Sequence, residues 1–154
     1  MSALTMPLAD RWRFLSEATV AVVSAAHDGE SVAVPIWIEV EGESVLMVTP
    51  RESEKARVML GAGRAWVTAL TTDAPYRFVA GEGRVELDES VDLPALVRSM
   101  SHRSLGAERG AEFAEWWLSS DPSIVVLRVT PDRWRSMERR AARGSLQRAA
   151  AASA

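Results

Sequence analysis

The sequence contains no cysteine, only two histidines and a single lysine in 154 residues. The lack of cysteine excludes disulfide bonds, thiolate metal sites and cysteine nucleophiles, and it fits a reducing compartment, so we expect a cytoplasmic protein. His27 and His102 each stand without a second histidine nearby, so we expect no metal site. All other basic residues, 18 in total with the lysine, are arginine. The lysine in this arginine-rich chain, Lys55, is therefore unusual.

Long apolar runs and an excess of positive charge are also missing. Apolar stretches reach five or six residues, far short of the roughly 20 that a membrane-crossing helix requires. Residues 1–13 lack the basic start and apolar core of a signal peptide, so none is expected. The formal net charge of −3 argues against a general nucleic-acid binder. We therefore expect neither a membrane nor a nucleic acid as a partner.

Hydrophobic periodicity divides the chain into six strands and four helices. The predicted strands span residues 19–26, 31–40, 44–49, 64–72, 76–87 and 123–130, and residues 134–138 extend or follow the last one. The predicted helices span residues 7–17, 50–60, 93–102 and 107–119. Gly81 and Gly83 indicate a bulge or bend in the fifth strand. Short turns between antiparallel strands favour a small β-barrel with peripheral helices, which is a mainly β fold. We assign residues 1–143 to one domain and the alanine-rich residues 144–154 to a flexible tail.

The predicted strand 31–40 is apolar on both faces. Its even-numbered residues from Val32 to Ile38 suit a barrel interior, and Ala33, Pro35 and Trp37 point the other way. Since an outer face should be polar, a helix, a partner subunit or a ligand is expected to cover it. Pro35 cannot donate to the ladder, so it marks an edge or a break where backbone groups become available to a planar heterocycle.

The segment from Thr49 to Arg57 carries the strongest chemical signal. Thr49, Pro50 and Glu52 have the form of a capping box, which predicts a helix over residues 50–60 that stops at Gly61. Free N–H groups at such a helix start favour an anion. On this helix Arg51 and Lys55, four residues apart, would share one face and hold a phosphate. The alternative is a solvated helix in which glutamates pair with the lysine.

The order of these features resembles the pyridoxamine 5′-phosphate oxidase-like superfamily of split β-barrels. The motifs are Val34-Pro35-Ile36-Trp37, the segment from Thr49 to Arg57, Pro75-Tyr76-Arg77-Phe78-Val79 and Gly83-Arg84-Val85-Glu86, within residues 8–132. They are most similar to the actinobacterial branch that uses flavin mononucleotide (FMN) or the deazaflavin coenzyme F420. The resemblance implies a six-stranded antiparallel split β-barrel of the FMN-binding type.

The resemblance also implies a cofactor site at a homodimer interface. The phosphate would be held by Thr49, Arg51, Ser53, Lys55 and Arg57. The ring would lie against the backbone of Ala33, Val34, Pro35, Ile36 and Trp37. Coenzyme F420 is the preferred cofactor and FMN the close rival. The implied activity is that of an oxidoreductase that transfers a hydride to or from a small organic substrate. Vitamin B6 oxidation is not expected, because the chain end lacks the arginine-and-histidine pattern that binds the vitamin phosphate.

Two other functions stay open at this stage, and no residue stands out as a catalytic acid or base. The protein is alternatively a non-catalytic cofactor-binding protein, or a heme-binding split barrel with His102 as the axial candidate. Phe113, Trp116 and Trp117 form an aromatic helix face. Core packing is the favoured role of this face, and a lid over the substrate is the alternative.

Overall fold

The computed structural model describes residues 5–138 of the chain. Its strands are β1 (Val20–His27), β2 (Glu30–Trp37), β3 (Glu39–Glu41), β4 (Ser44–Pro50), β5 (Arg64–Leu70), β6 (Arg77–Leu87) and β7 (Ile124–Glu138). Its helices are α1 (Leu8–Glu17), α2 (Glu54–Ala62), α3 (Leu93–Leu105) and α4 (Ala107–Ser120). The predicted tail, residues 144–154, lies outside the described residues.

All pairings in the sheet are antiparallel, and the strand order is β2-β1-β5-β6-β7-β4-β3. The two ends of this order, β2 and β3, are separated in the chain by Ile38 alone. One bent segment thus pairs with β1 through its first half and with β4 through its second half. The expected mainly β split barrel is confirmed.

The prediction of six strands was wrong in number, because the predicted strand 31–40 is divided at Ile38. The N–H of Ile38 donates to the carbonyl oxygen of Thr19 at 3.0 Å, outside the strand ladders. At this point the chain leaves β1 as its neighbour and begins to pair with β4. The last strand continues beyond Thr130 to Glu138 along β6, so residues 134–138 extend it, which was one of the two predicted alternatives.

Turns and a bulge set the register. Asp28 and Gly29, with φ of 47° and 77°, form the predicted turn between β1 and β2. The pairing of β6 with β7 shifts between Glu82 and Gly83, which confirms the predicted irregularity. A Cβ atom at Gly83 would collide with the carbonyl oxygen of Thr130, so only glycine allows this close approach.

The interior of the barrel is a hydrophobic cluster, to which each of the long strands contributes side chains. Ile38 is 1% exposed, and Val34 and Ile36 pack against the same cluster, as the alternation predicted. Helix α1 contributes the fully buried Leu15, and Trp12 meets Trp134 edge to face at a centroid distance of 5.0 Å. Each buried aliphatic side chain contributes about 1.5–3 kcal/mol of burial free energy.

A second hydrophobic cluster lies outside the barrel, where α3 and α4 pack on the outer face of β4 and β7. It joins Leu46, Val48 and Val126 to Val97 and Met100 of α3, with further members on both helices. At Gly110 of α4, a Cβ atom would meet the backbone of α3 at 2.7 Å, so glycine permits close packing of the two helices. No helix within residues 5–138 combines the length and apolarity needed to cross a membrane.

Candidate functional site

A cavity of about 410 Å³ lies between the end of β2, the end of β4, the start of α2 and the α3–α4 pair. Its walls are apolar except at Thr49 and Lys55, which both come from the β4–α2 region. Concave, mostly apolar pockets with a few polar groups are typical of small-molecule sites. This cavity is therefore the candidate site.

Strand β2 supplies one wall of the cavity through Pro35, Ile36 and Trp37. These are three of the five residues predicted to line a cofactor ring. The other two lie elsewhere, since Ala33 is exposed on the outer face and Val34 packs against the barrel interior. Among the described strands, β2 stands at one end of the sheet order with β1 as its neighbour, and such an edge position tolerates proline, which has no N–H to donate.

The predicted capping box at Thr49 was wrong. Thr49 and Pro50 remain in β4, where they pair with Val125 and Ile124 of β7. The actual N-cap is Ser53, whose hydroxyl accepts from the N–H of Ala56 at 3.2 Å. Helix α2 consequently begins at Glu54 rather than at Pro50.

The end of α2 also differs from the prediction. The helix continues through Gly61 and ends at Gly63, which adopts the left-handed conformation with φ of 72°. Gly61 lies inside the helix, and the His27 side chain occupies the space where a Cβ atom would stand. The glycine at position 61 thus marks a close contact rather than a helix end.

The hydroxyls predicted to hold a phosphate do come together at the start of α2. Thr49 Oγ1 and Ser53 Oγ are 3.0 Å apart and hydrogen-bonded, and Thr49 is 1% exposed. The backbone N–H groups of Glu54 and Lys55 have no acceptor within residues 5–138. Free N–H groups at the positive end of a helix attract an anion. The exposed carboxylate of Glu54 in the same turn partly offsets this attraction.

Only one of the three predicted cations lines the cavity. Lys55 is half-buried there, and no hydrogen bond or ion pair within the described part of the chain engages its ammonium group. Arg57 points elsewhere and makes a two-pronged contact with Glu30, at 3.1 and 2.6 Å. This pairing lowers the pKa of Glu30 from its ordinary value. Lys55 is thus the cation left available to a ligand in the cavity.

Arg51 does not share a helix face with Lys55, and that prediction was wrong. Arg51 precedes α2, and its N–H donates to the carbonyl oxygen of Ser123, which fixes the backbone beside β7. Its side chain is half-exposed and lies 3.5 Å from Glu89. Residues four positions apart share a face only within a helix, and the first three residues after β4, which include Arg51, are not helical.

The opposite wall comes from the two helices and contains residues that were not predicted as site residues. Met100 of α3 and Phe113 and Trp117 of α4 line the cavity. Phe113 lies 5.3 Å from Trp37 between ring centroids, and Trp117 lies 6.3 Å from Trp37. The aromatic helix face was the available signal. Trp117 also packs on the outer cluster, whereas Trp116 is 60% exposed and does not line the cavity.

Comparison with known proteins places this geometry in a fold family. No family model and no curated protein sequence matches the chain. Among solved structures, the conserved hypothetical protein Rv2991 from Mycobacterium tuberculosis has a TM-score of 0.72 and 19% identity, with 95% of this chain and 98% of that one covered.

Two further structures carry names that describe a ligand or a reaction. The FAD and heme binding protein from Mycobacterium smegmatis has a TM-score of 0.66 and 18% identity, covering 96% of this chain and 78% of its own. A candidate pyridoxamine 5′-phosphate oxidase from Listeria innocua has a TM-score of 0.64 and 14% identity, covering 83% and 95%. The chain has the fold of the pyridoxamine 5′-phosphate oxidase-like split barrels. Identities below 20% establish that fold and not the ligand.

Histidine and acidic residues lie away from the cavity of this split barrel. His102, the axial candidate for heme, is exposed on α3 and does not line the cavity. Within residues 5–138, no group of three or more histidine, aspartate or glutamate side chains is placed to hold a metal ion.

One ionic group helps to shape the outer side of this split barrel. The half-buried Arg128 of β7 contacts Asp88 at 2.6 Å and Glu41 at 3.1 Å. Hydrogen bonds from Ser90 and from Arg128 lower the pKa of Asp88 to about 2. These contacts join β3, β7 and the segment after β6, so we assign the group a structural role.

Proposed function

We propose that the cavity binds a phosphorylated flavin-type cofactor, with Lys55 beside the phosphate and the ring between β2 and the helices. Coenzyme F420 is the preferred cofactor and FMN the close rival. The observation that carries the proposal is the position of Lys55, a cation with no partner among the described residues, in a mostly apolar and aromatic-lined cavity. The name of the similar M. smegmatis protein, which binds FAD and heme, supports a flavin-type ligand.

The two ends of such a cofactor match the two ends of the cavity. A lysine ammonium provides a compact charge for a phosphate, and the hydroxyls and free N–H groups at the start of α2 can add donors. A tricyclic ring provides flat apolar surface for Trp37 and the helix wall. The remaining predicted phosphate contacts, Arg51 and Arg57, would join the site only by exchanging their acidic partners for the phosphate.

We propose further that a second copy of the chain covers the open side of the cavity. Val20 and Pro35 line the cavity and are exposed, and Leu70 is 54% exposed. Val22 pairs with Thr68 and with Pro35, so the alternation of side chains places Val20, Leu70 and Pro35 on one outer face. We call this group, together with Ala33, the uncovered face. Its contiguous apolar surface suits a homodimer contact.

The activity that fits this site is oxidoreduction of a small organic substrate. A bound flavin or deazaflavin would supply the hydride chemistry. The chain itself would orient the ring against β2, neutralise the phosphate through Lys55 and keep water away with its aromatic wall. No side chain is assigned as a catalytic acid or base.

The composition of the cavity also favours a second candidate, a cofactor-binding protein without catalysis. Among the described lining residues, Thr49 and Lys55 alone carry polar side chains, so no carboxylate or imidazole is at hand for proton transfer. Loading the protein with reduced cofactor and following its absorbance with and without small electron acceptors separates the candidates. If an acceptor oxidises the protein-bound cofactor faster than it oxidises free cofactor, the enzyme is supported. If the two oxidation rates are the same, the binding protein is supported.

The binding proposal is tested by titrating the purified protein with coenzyme F420 and with FMN. At least one cofactor should bind more tightly than about 100 μM, which corresponds to about −5.5 kcal/mol. Lys55→Ala should weaken binding roughly 10- to 100-fold, because a hydrogen bond to a charged group contributes about 1.5–3 kcal/mol.

The matched control is Arg57→Ala, which removes one positive charge from the same helix but outside the cavity. Its effect should stay within about threefold, since an exposed charge is screened by salt. Equal losses of cofactor affinity in both variants would show that binding depends on net charge rather than on the position of Lys55. Failure of both cofactors to bind the wild type would reject the proposal.

A further inference from the structure

The phosphate contact proposed for Lys55 gives no role to Phe113 and Trp117. Both are partly exposed, and both line the cavity on the side formed by α4. Their rings lie 5.7 Å apart at 55°, and Trp37 stands at 63° to Phe113 and 78° to Trp117. Three aromatic rings therefore converge on one space and keep part of their surface open to it.

The helices that hold these rings are also fixed to the barrel by contacts beyond the cavity. Val97 and Ala114 are fully buried, and they pack with Leu46, Val48 and Val126 on the outer face of β4 and β7. Arg103 of α3 also donates to the carbonyl oxygens of Ser16, Ala18 and Ile38, which ties the helix pair to the bend between β2 and β3. The aromatic rings are thus presented by a rigid support, as a preformed binding surface requires.

We infer that the α3–α4 hairpin is the specificity element of the cavity, and that Phe113 and Trp117 select ligands with a planar aromatic ring. The inference rests on the proposed function, in which Lys55 holds the anionic end of the same ligand. It adds that the two ends of the ligand are recognised separately: the helix wall binds the ring whether or not a phosphate is present. The ligand class is a flat heteroaromatic compound, with affinity increased by an anionic group that reaches Lys55.

The experiment uses three probes that separate the ring from the phosphate. FMN carries both, riboflavin carries the ring alone, and ribose 5-phosphate carries the phosphate alone. Binding is measured for the wild-type protein, Phe113→Ala and Lys55→Ala. Phe113→Ala should weaken FMN and riboflavin by the same factor, about tenfold, as expected when a stacking aromatic is lost. It should leave ribose 5-phosphate unchanged, whereas Lys55→Ala should affect FMN and ribose 5-phosphate but not riboflavin.

Two more variants separate ring recognition from apolar packing and from damage to the fold. Phe113→Leu keeps an apolar side chain at this position and should bind riboflavin as weakly as Phe113→Ala. Trp116→Ala removes an exposed aromatic that contacts Phe113 at a centroid distance of 5.4 Å but lies outside the cavity, and it should bind all probes as the wild type does. Thermal unfolding of each variant confirms that the helix pair is intact.

The outcomes distinguish this inference from the proposed function. If FMN binds the wild type and Phe113→Ala or Phe113→Leu binds riboflavin as tightly, the inference is overturned and the phosphate proposal stands. If riboflavin binds and depends on Phe113 while Lys55→Ala leaves FMN binding unchanged, the inference stands and the phosphate proposal fails. If the wild type binds neither FMN nor riboflavin, the inference is rejected, and the proposed function is rejected with it if coenzyme F420 also fails to bind.

Discussion

The interior of the barrel and its outer surface differ in how completely their apolar side chains are covered. Inside, Val23, Met47 and Leu127 are fully buried in a cluster to which neighbouring antiparallel strands contribute. Outside, two helices cover only β4, β7 and the end of β2, and the rest of the apolar face stays open. The interior therefore serves stability, and the half-covered exterior is where we propose that a ligand and a second copy of the chain bind.

The largest expected effect contrasts the interior with the cavity wall. Leu127→Ala empties a fully buried position and should lower the free energy of unfolding by about 2–5 kcal/mol. Phe113→Ala, on the half-exposed outer wall, should cost clearly less stability although it weakens ligand binding. Denaturant unfolding of both variants measures the difference. Equal losses would show that the helix wall is as much a structural core as the barrel.

The contrast between the interior and the outer side also explains how much of the fold was predictable from the sequence. The interior side chains of β2 followed from strict alternation, because a strand with one face in a barrel repeats every two residues. The break at Ile38 did not follow, since it depends on the exchange of neighbours from β1 to β4. The alternation of side chains along one segment does not show which distant strand that segment pairs with.

The candidate site was predictable in part for the same reason. Lys55 and Trp37 were named from the sequence, and the structure brings both to one cavity. The position of Arg57 depends on Glu30, which is 27 residues away, and that of Arg51 depends on β7. The wall formed by Phe113 lies beside Trp37 only because two helices fold back onto the outer sheet. These contacts arise from tertiary packing, which overrides the spacing along the chain.

The next prediction concerns the uncovered face and the proposed homodimer. Leu70→Glu places a charge on this face and should weaken self-association at least about tenfold, because an unpaired charge is costly to bury in an interface. Sedimentation velocity over a range of concentrations measures the change. Trp116→Glu serves as the control, since it adds the same charge to an exposed aromatic on α4. A wild-type protein that sediments as a monomer at all concentrations would remove the basis of the dimer proposal.

The smallest effect is expected from the ionic group on the outer side. The pKa of Asp88 is about 2 in the folded protein against an ordinary value of 3.8, because hydrogen bonds from Ser90 and Arg128 favour its charged form. Its contribution to stability is therefore complete above pH 3.8 and is lost as the pH falls to about 2.

Asp88→Asn tests this contribution directly. The difference in the free energy of unfolding between wild type and variant should be constant above pH 3.8 and should shrink toward pH 2. Urea unfolding at a series of pH values measures it. A difference that grows on acidification would contradict the assignment, since it would mean that protonated Asp88 is the form the fold prefers.

The most direct measurement is a crystal structure of the protein grown with FMN and, separately, with coenzyme F420. We predict that in at least one complex a phosphate oxygen lies about 3 Å from Lys55 Nζ, within hydrogen-bonding distance. The ring should lie in the cavity between Trp37 and Phe113. A cofactor bound elsewhere, or a phosphate held by Arg57 with Lys55 in solvent, would contradict the central claim that Lys55 anchors the ligand of this cavity.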